Sequence, residues 1–245
     1  MDLSKYPDVD VLLARLVQGR ESGIGQAVGL PAGGSTPIDV GRPFGEEGLR
    51  NLAEQLGMQS CDLFLVAGMV NPNDILLFDE EAGRELPRLV RRALSLPPSD
   101  GQQLRDLARS LPELPRAVSL RKRRPYERYP PGFGSLFVRM LALRNLGWSS
   151  GAQVMYLMSG VSVSPSTIGA VGRGVRKLDT ELLNGFAVVL GIPLNVLESL
   201  TGLRQTASLI RSPEHSNTAA LLCDVRHLNA GQVREVSHLA DMLSR

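Results

Sequence analysis

The sequence predicts an all-α protein, and three observations lead to that prediction. Apolar residues make up 43% of the 245 positions but aromatic residues only 4%, so Leu, Val and Ala must supply most of the core. Several segments repeat apolar residues at the i, i+3, i+4 and i+7 spacing of a helix with one buried face. No series of segments alternates apolar and polar residues as strands do.

The predicted helices follow one another in a recurring order. Amphipathic segments at 8–18 and 135–146 each begin a group of helices. Segments at 48–57 and 180–191 show the same spacing, and each ends at a glycine suited to the left-handed position after a helix. Each group is predicted to end in a helical hairpin, the first from residues 81–96 and 99–111, the second from residues 217–228 and 230–243.

An internal repeat accounts for this order. Residues 52–69 (LAEQLGMQSCDLFLVAGM) align with residues 186–203 (FAVVLGIPLNVLESLTGL) at a constant offset of 134. Weaker matches keep the same order, including residues 94–111 with residues 226–243. The sequence therefore predicts a tandem duplication of one module, each copy followed by a helical hairpin. The predicted division is a first copy at 1–115, a basic, proline-rich linker at 116–134 and a second copy at 135–245.

The two halves carry opposite net charge. Residues 1–120 hold 12 basic and 17 acidic residues, a net charge of −5, whereas residues 121–245 have a net charge of +7. A basic region attracts polyanions such as DNA. The densest positive run lies in the linker, at Arg121, Lys122, Arg123 and Arg124. Two interpretations of this run stay open: an arm along DNA phosphates or in the minor groove, with Tyr126 and Tyr129 against the sugars, or a solvated segment that pairs with the acidic half.

The second copy resembles the Cro/lambda-repressor-like helix-turn-helix family, often called the XRE family. The resemblance covers about residues 135–202. Residues 160–174 (GVSVSPSTIGAVGRG) are similar to the family pattern GVSxSTIxxIExG, and residues 178–202 are similar to its two closing helices. The resemblance implies a helix from Ser149 or Ser150, a sharp turn at Gly160, and a third helix with Pro165 at its first position, where the missing N–H costs nothing.

The same resemblance implies a DNA-binding surface. The third helix would lie in the major groove, anchored to the core by Ile168 and Val171. Its outward side chains would touch base edges or phosphates, and basic residues at its far end would contact phosphates. The residues that we expect to contact DNA are Ser150, Gln153, Ser164, Ser166, Thr167, Ala170, Arg173, Arg176, Lys177 and Arg144, together with Arg121, Lys122, Arg123 and Arg124 of the linker.

The third helix departs from the family pattern. Gly169, Ala170 and Gly172 stand where the family often has polar or charged residues, and glycine inside a helix costs about 1 kcal/mol relative to alanine. The first two turns carry no Arg, Asn or Gln for a bidentate base contact. We therefore expect specificity to come partly from DNA shape. In the first copy, the glycines and prolines of residues 29–49 argue against a normal recognition helix.

These features predict a bacterial, sequence-specific transcription regulator that binds double-stranded DNA in the cytoplasm, associated with the nucleoid. We expect a homodimer, joined through the first copy or the leucine-rich tails at 86–111 and 221–243. The alternative is an interaction adaptor, in which degenerate modules bind a protein partner through the acidic first copy without reading DNA.

Other classes of protein are not supported by the sequence. We find no apolar run of about 18 residues, which disfavours a membrane span. No phosphate-binding loop, nucleophile elbow or zinc-protease motif occurs, so we expect neither an enzyme nor a cofactor. Cys223 and His227 are four residues apart, but a metal site needs further ligands, and we expect packing roles instead. Cys61 and Cys223 are expected to be buried and unbridged.

Overall fold

A computed structural model describes residues 9–19, 45–69, 79–115, 129–204 and 212–244. Within these ranges the protein forms twelve α-helices and one short 3-10 helix, and none of the residues lies in a strand. The prediction of an all-α protein is therefore confirmed for the described part of the chain.

Five helices come from the N-terminal half. The left-handed glycine predicted after the second of them is present, because Gly57 has a φ of 64°. Asp79 caps the fourth helix by accepting hydrogen bonds from the backbone N–H groups of Glu81 and Ala82. The helices are α1 (Val9–Gly19), α2 (Glu46–Leu56), α3 (Ser60–Val66), α4 (Glu80–Ala93) and α5 (Pro98–Ser110).

The C-terminal half contributes seven α-helices and the 3-10 turn. Asp179 caps the fourth of these helices, and Gly191 ends it with a φ of 70°, as predicted. The linker predicted at 116–134 overlaps the start of this group, because the first helix begins at Phe133. The helices are α6 (Phe133–Ala142), α7 (Trp148–Ser159), α8 (Pro165–Gly172), α9 (Thr180–Leu190), α10 (Leu194–Thr201), α11 (Pro213–Asp224) and α12 (Ala230–Leu243), with the 3-10 helix at Val225–His227.

Helices of the two halves pack against each other and share one hydrophobic core. α4 lies along α12, and α5 lies along α11. Nearer the N-terminus, α1 packs on α10, and α3 packs on α6. The leucine-rich tails therefore bury their apolar faces within a single chain: Leu89, Leu104, Leu222 and Val236 are at most 1% exposed.

A buried ion pair joins the two halves near the centre of this core. Arg144, just after α6, and Asp62 on α3 both have side chains with no exposed surface. The guanidinium donates two hydrogen bonds to the Asp62 carboxylate, at 2.9 and 2.6 Å, and two more to the backbone carbonyls of Met140 and Leu190. The geometry is bidentate, which is the strong form of an arginine–carboxylate pair.

Among the helices of the described ranges, none has the length and apolar character that a membrane span requires.

Candidate nucleic-acid interface

The segment from α7 through α8 folds as a helix, a turn and a second helix. α7 ends at Ser159, and Gly160 follows it in the left-handed conformation, with a φ of 73°. Ser164 then caps α8, because its Oγ accepts a hydrogen bond from the backbone N–H of Thr167 at 3.2 Å. Pro165 occupies the first helical position. The predicted turn at Gly160 and the predicted start of the third helix are confirmed.

The inward face of this unit is apolar and includes Ile168 and Val171, the two residues predicted to anchor the third helix. Val154 and Met158 of α7 are 0% and 2% exposed, and Ile168 and Val171 of α8 are 0% and 1% exposed. α8 packs on both α6 and α7. The helix is therefore held on two sides and presents its remaining side to solvent.

The two glycines of α8 belong to the buried side and not to the solvent-facing side. A Cβ added to Gly169 would lie 2.9–3.0 Å from the indole of Trp148, and one added to Gly172 would overlap the ring of Tyr129. Both glycines thus allow an aromatic ring to lie directly on the helix backbone. The missing side chains of Gly169 and Gly172 are therefore missing from the packed side of α8 and not from its outward face.

The rings of Trp148 and Tyr129 also contact each other, and that of Trp148 contacts the residue that follows α8. Trp148 donates its indole N–H to the Tyr129 hydroxyl at 2.9 Å, and burial raises the pKa of Tyr129. The guanidinium carbon of Arg173, the residue that follows α8, lies 5.5 Å from the centre of the Trp148 ring. Arg173 is exposed, so its guanidinium is positioned at the surface beside the last turn of the helix.

The outward face of α8 is small and polar. Ser164 and Ser166 are exposed, while Thr167 and Ala170 are partly exposed. The Ser164 hydroxyl lies 2.7 Å from that of Ser166 and 3.0 Å from that of Thr167, so three hydroxyl groups cluster at the start of the helix. Gln153 is exposed on α7. These five residues occupy positions that the sequence predicts to contact DNA.

Positive charge lies at the other end of α8. Arg173, Arg176 and Lys177 are all exposed. Arg176 forms an exposed ion pair with Asp179 at 3.3 Å, which offsets part of its charge. Between Glu127 and Asp179 the sequence contains no acidic residue. All charged residues of the helix-turn-helix unit are therefore basic, apart from the aspartate that caps α9.

Two residues expected to contact DNA are placed elsewhere. Arg144 is wholly buried in its ion pair with Asp62, so its guanidinium cannot reach a phosphate, and that expectation is wrong. Ser150 is 9% exposed and lies within the first turn of α7, where its Oγ accepts a hydrogen bond from the backbone N–H of Gly147. It supports the start of the helix, which begins at Trp148 and not at a serine cap.

The basic run of the linker lies outside the described residues. Arg121, Lys122, Arg123 and Arg124 therefore remain predicted DNA contacts. Tyr129, predicted to pack against sugars, is 6% exposed and packs beneath α8, which corrects that expectation.

Two exposed apolar side chains of this unit were not predicted from the sequence. Tyr156 on α7 is 58% exposed and Val175 after α8 is 76% exposed. The helical spacing carries the signal for Tyr156, because it lies three residues after the exposed Gln153 and two after the buried Val154. No comparable signal marks Val175.

Neither cysteine forms a disulfide bond within the described part of the chain. Burial raises the pKa of Cys61 to about 12. Across the described ranges, no group of three His, Cys, Asp or Glu side chains is arranged to hold a metal ion.

No family model, curated protein or solved structure matches the chain.

Proposed function

We propose that this protein is a DNA-binding transcription regulator of the helix-turn-helix class, in which α8 enters the major groove. The observation that best supports the proposal is the outward face of α8. Small hydroxyl side chains lie at the start of α8, three exposed cations follow its last residue, and the unit carries no acidic residue before Asp179. Electrostatic attraction to phosphates supplies most of the affinity of such surfaces.

The dimensions of α8 suit this role. An α-helix with its side chains is about 10–12 Å across, and the major groove is about 12 Å wide, so the helix can enter the groove. Ser166 and Thr167 would donate to a phosphate or a base edge, and the methyl group of Ala170 would touch a thymine methyl. Gln153 of α7 would contact the backbone on one side of the groove.

The cations would set the position of α8 in the groove. Arg173 and Lys177 are exposed and have no acidic partner in the described residues, so they are the main phosphate contacts of the proposal. Arg176 must share its charge with Asp179, and we assign it a smaller contribution. Because backbone contacts outnumber base contacts, recognition would depend on DNA shape as well as on sequence.

We also propose that the two halves are copies of one module. α2 and α9 both contain 11 residues, and their bounds differ by 134 positions throughout. α3 and α10 begin 134 positions apart, and left-handed glycines follow both, at Gly68 and Gly202. Helix bounds thus support the repeat found in the sequence.

One observation favours the alternative, a protein-binding adaptor. Tyr156 and Val175 expose large apolar surface on the proposed DNA-binding unit, and aromatic residues are enriched where proteins bind each other. In that case the helix-turn-helix unit would serve a protein partner.

Selection of duplexes from a random pool tests the proposal. The wild-type protein should enrich a sequence motif at low salt. Ser166→Ala combined with Thr167→Ala should lower discrimination for that motif about tenfold while leaving nonspecific binding unchanged. The control is Ser216→Ala, an exposed serine on α11. Absence of any enriched or retained duplex, together with a stoichiometric protein partner in a pull-down, would favour the adaptor.

A further inference from the structure

The last two helices of each half pack crosswise on those of the other half. α4 and α5 do not form the predicted hairpin with each other, and neither do α11 and α12, because each helix lies along a partner from the opposite half. When α4 is aligned with α11 and α5 with α12, corresponding residues are 132 positions apart. α4 packs on α12, and α5 packs on α11. These two contacts therefore join corresponding helices. In one contact the N-terminal half supplies the first helix of the pair and the C-terminal half the second, and in the other contact the halves supply the opposite helices.

Burial follows the same correspondence. Four of the six buried positions of α4 map onto buried positions in and just after α11, whereas Ala82 and Gly83 map onto the partly buried Glu214 and His215. The pairs are Leu86 with Thr218, Leu89 with Leu221, Val90 with Leu222, and Ala93 with Val225, and every member is at most 5% exposed.

Two ion pairs between the halves lie at corresponding positions, and where one pair has an arginine the other has an aspartate. Arg92 on α4 pairs with Asp241 on α12 at 2.7 Å. Arg109 on α5 pairs with Asp224 on α11 at 3.0 Å. Asp224 is the counterpart of Arg92 and Asp241 that of Arg109, because the members of each couple are 132 positions apart. The arrangement is that of a two-fold contact in which the charges have been swapped.

The other helices of the core show the same relationship. α1 packs on α10, while α6 packs on α3. In the sequence repeat α6 is the counterpart of α1, and α10 is the counterpart of α3. The core thus contains two pairs of crosswise contacts that a two-fold axis would relate.

We infer that the two halves of one chain are arranged like the two subunits of a two-fold symmetric dimer, and that the protein is therefore a monomer. We infer further that a single chain recognises duplex DNA at a site without inverted-repeat symmetry. The second inference rests on the proposed function. The tails predicted to join two chains are already buried against each other within one chain. The N-terminal half therefore takes the place of a second subunit.

The asymmetry of the site follows from the difference between the halves. Between α6 and α9, residues 143–179 contain three exposed basic residues and one acidic residue, besides the buried Arg144, and α7 and α8 lie in this interval. Between α1 and α2, residues 20–44 contain two basic and two acidic residues. Only one half thus has the charge of a DNA-reading unit, and one half-site should suffice.

Sedimentation equilibrium of the full-length protein tests the first inference without DNA. The expected mass is that of one chain, 26.5 kDa, at every concentration measured. A constant mass of two chains would overturn the inference, because it would show that the N-terminal half does not replace a second subunit.

Native mass spectrometry with the selected duplex tests the second inference. We expect one chain per duplex, and we expect a second, inverted copy of the motif to bind a second chain independently, with the same affinity. Two chains bound cooperatively to an inverted repeat would overturn the inference and leave the proposed function intact. A monomer that retains no duplex at low salt would instead reject the proposed function, and the second inference with it.

Discussion

Gly172 lies directly beneath the ring of Tyr129, so closely that a methyl group at this position would overlap the ring. This contact joins the last turn of α8 to Tyr129, which lies four residues before the start of α6. It predicts that Gly172→Ala destabilises the protein by about 1–3 kcal/mol, although alanine is the better helix former. Chemical denaturation measures the change.

The outward-facing neighbour supplies the control for this prediction. Ala170→Ser changes a partly exposed position of the same helix and should shift stability by no more than about 0.5 kcal/mol. Combining Gly172→Ala with Tyr129→Leu should recover part of the loss, because the smaller side chain leaves room for the methyl group. Equal stability of Gly172→Ala and the wild type would show that the ring does not lie on the helix.

The ion pair of Arg144 and Asp62 should contribute strongly to the stability of the core that the two halves share. Removing one partner leaves the other charge buried and unpaired, so Asp62→Ala should cost about 3–5 kcal/mol. The double variant Asp62→Leu with Arg144→Met should be clearly more stable than either single alanine variant, because it removes both charges. If Asp62→Ala unfolds at the wild-type denaturant concentration, the pair does not hold the halves together.

The thiol of Cys61 should be unreactive in the folded protein. Burial raises its pKa to about 12 from an unfolded value of 9.0, so almost no thiolate forms at neutral pH. Because the folded protein holds the proton more tightly, this group lowers the free energy of unfolding as the pH rises from about 9 to about 12. Alkylation followed by peptide mass analysis should label Cys61 only after denaturation; labelling of the native protein would contradict its placement.

Trp148 is the only tryptophan of the chain and should report on DNA binding. Its ring contacts Arg173, which the proposal draws toward a phosphate. Saturation with duplex DNA should therefore change the fluorescence of Trp148, and the change should be reduced in Arg173→Ala. Unchanged emission at full saturation, measured in parallel by anisotropy of labelled DNA, would place the bound DNA elsewhere.

Local sequence signals predicted α8 and its turn well. Gly160, Ser164 and Pro165 each act on their own backbone, so a turn, a cap and a helix start can be inferred without knowledge of the fold. The apolar spacing of Ile168 and Val171 likewise identified the buried face. The tandem duplication and the DNA contacts, by contrast, remain proposals.

Contacts between residues far apart in the sequence could not be predicted. Arg144 lies 82 residues from Asp62, and nothing near Arg144 distinguishes a buried arginine from a surface one. The glycines of α8 suggested a weakened reading surface because the rings that cover Gly169 and Gly172 belong to other segments. Helical periodicity identifies which face is apolar but not which helix covers it, so the sequence predicted a hairpin within each half where the structure has crosswise packing between the halves.

The salt dependence of DNA binding is the decisive test of the role proposed for α8. Affinity for a duplex should fall steeply as salt rises. Arg173→Ala combined with Arg176→Ala should lower the affinity, and should reduce the slope of log K against log salt by about 1 for each arginine that no longer reaches a phosphate. Arg91→Ala combined with Arg234→Ala removes the same charge from exposed positions of α4 and α12 and should leave the slope unchanged. We predict this difference between the two double variants. Equal slopes for both would show that α8 and its flanking arginines do not hold the DNA.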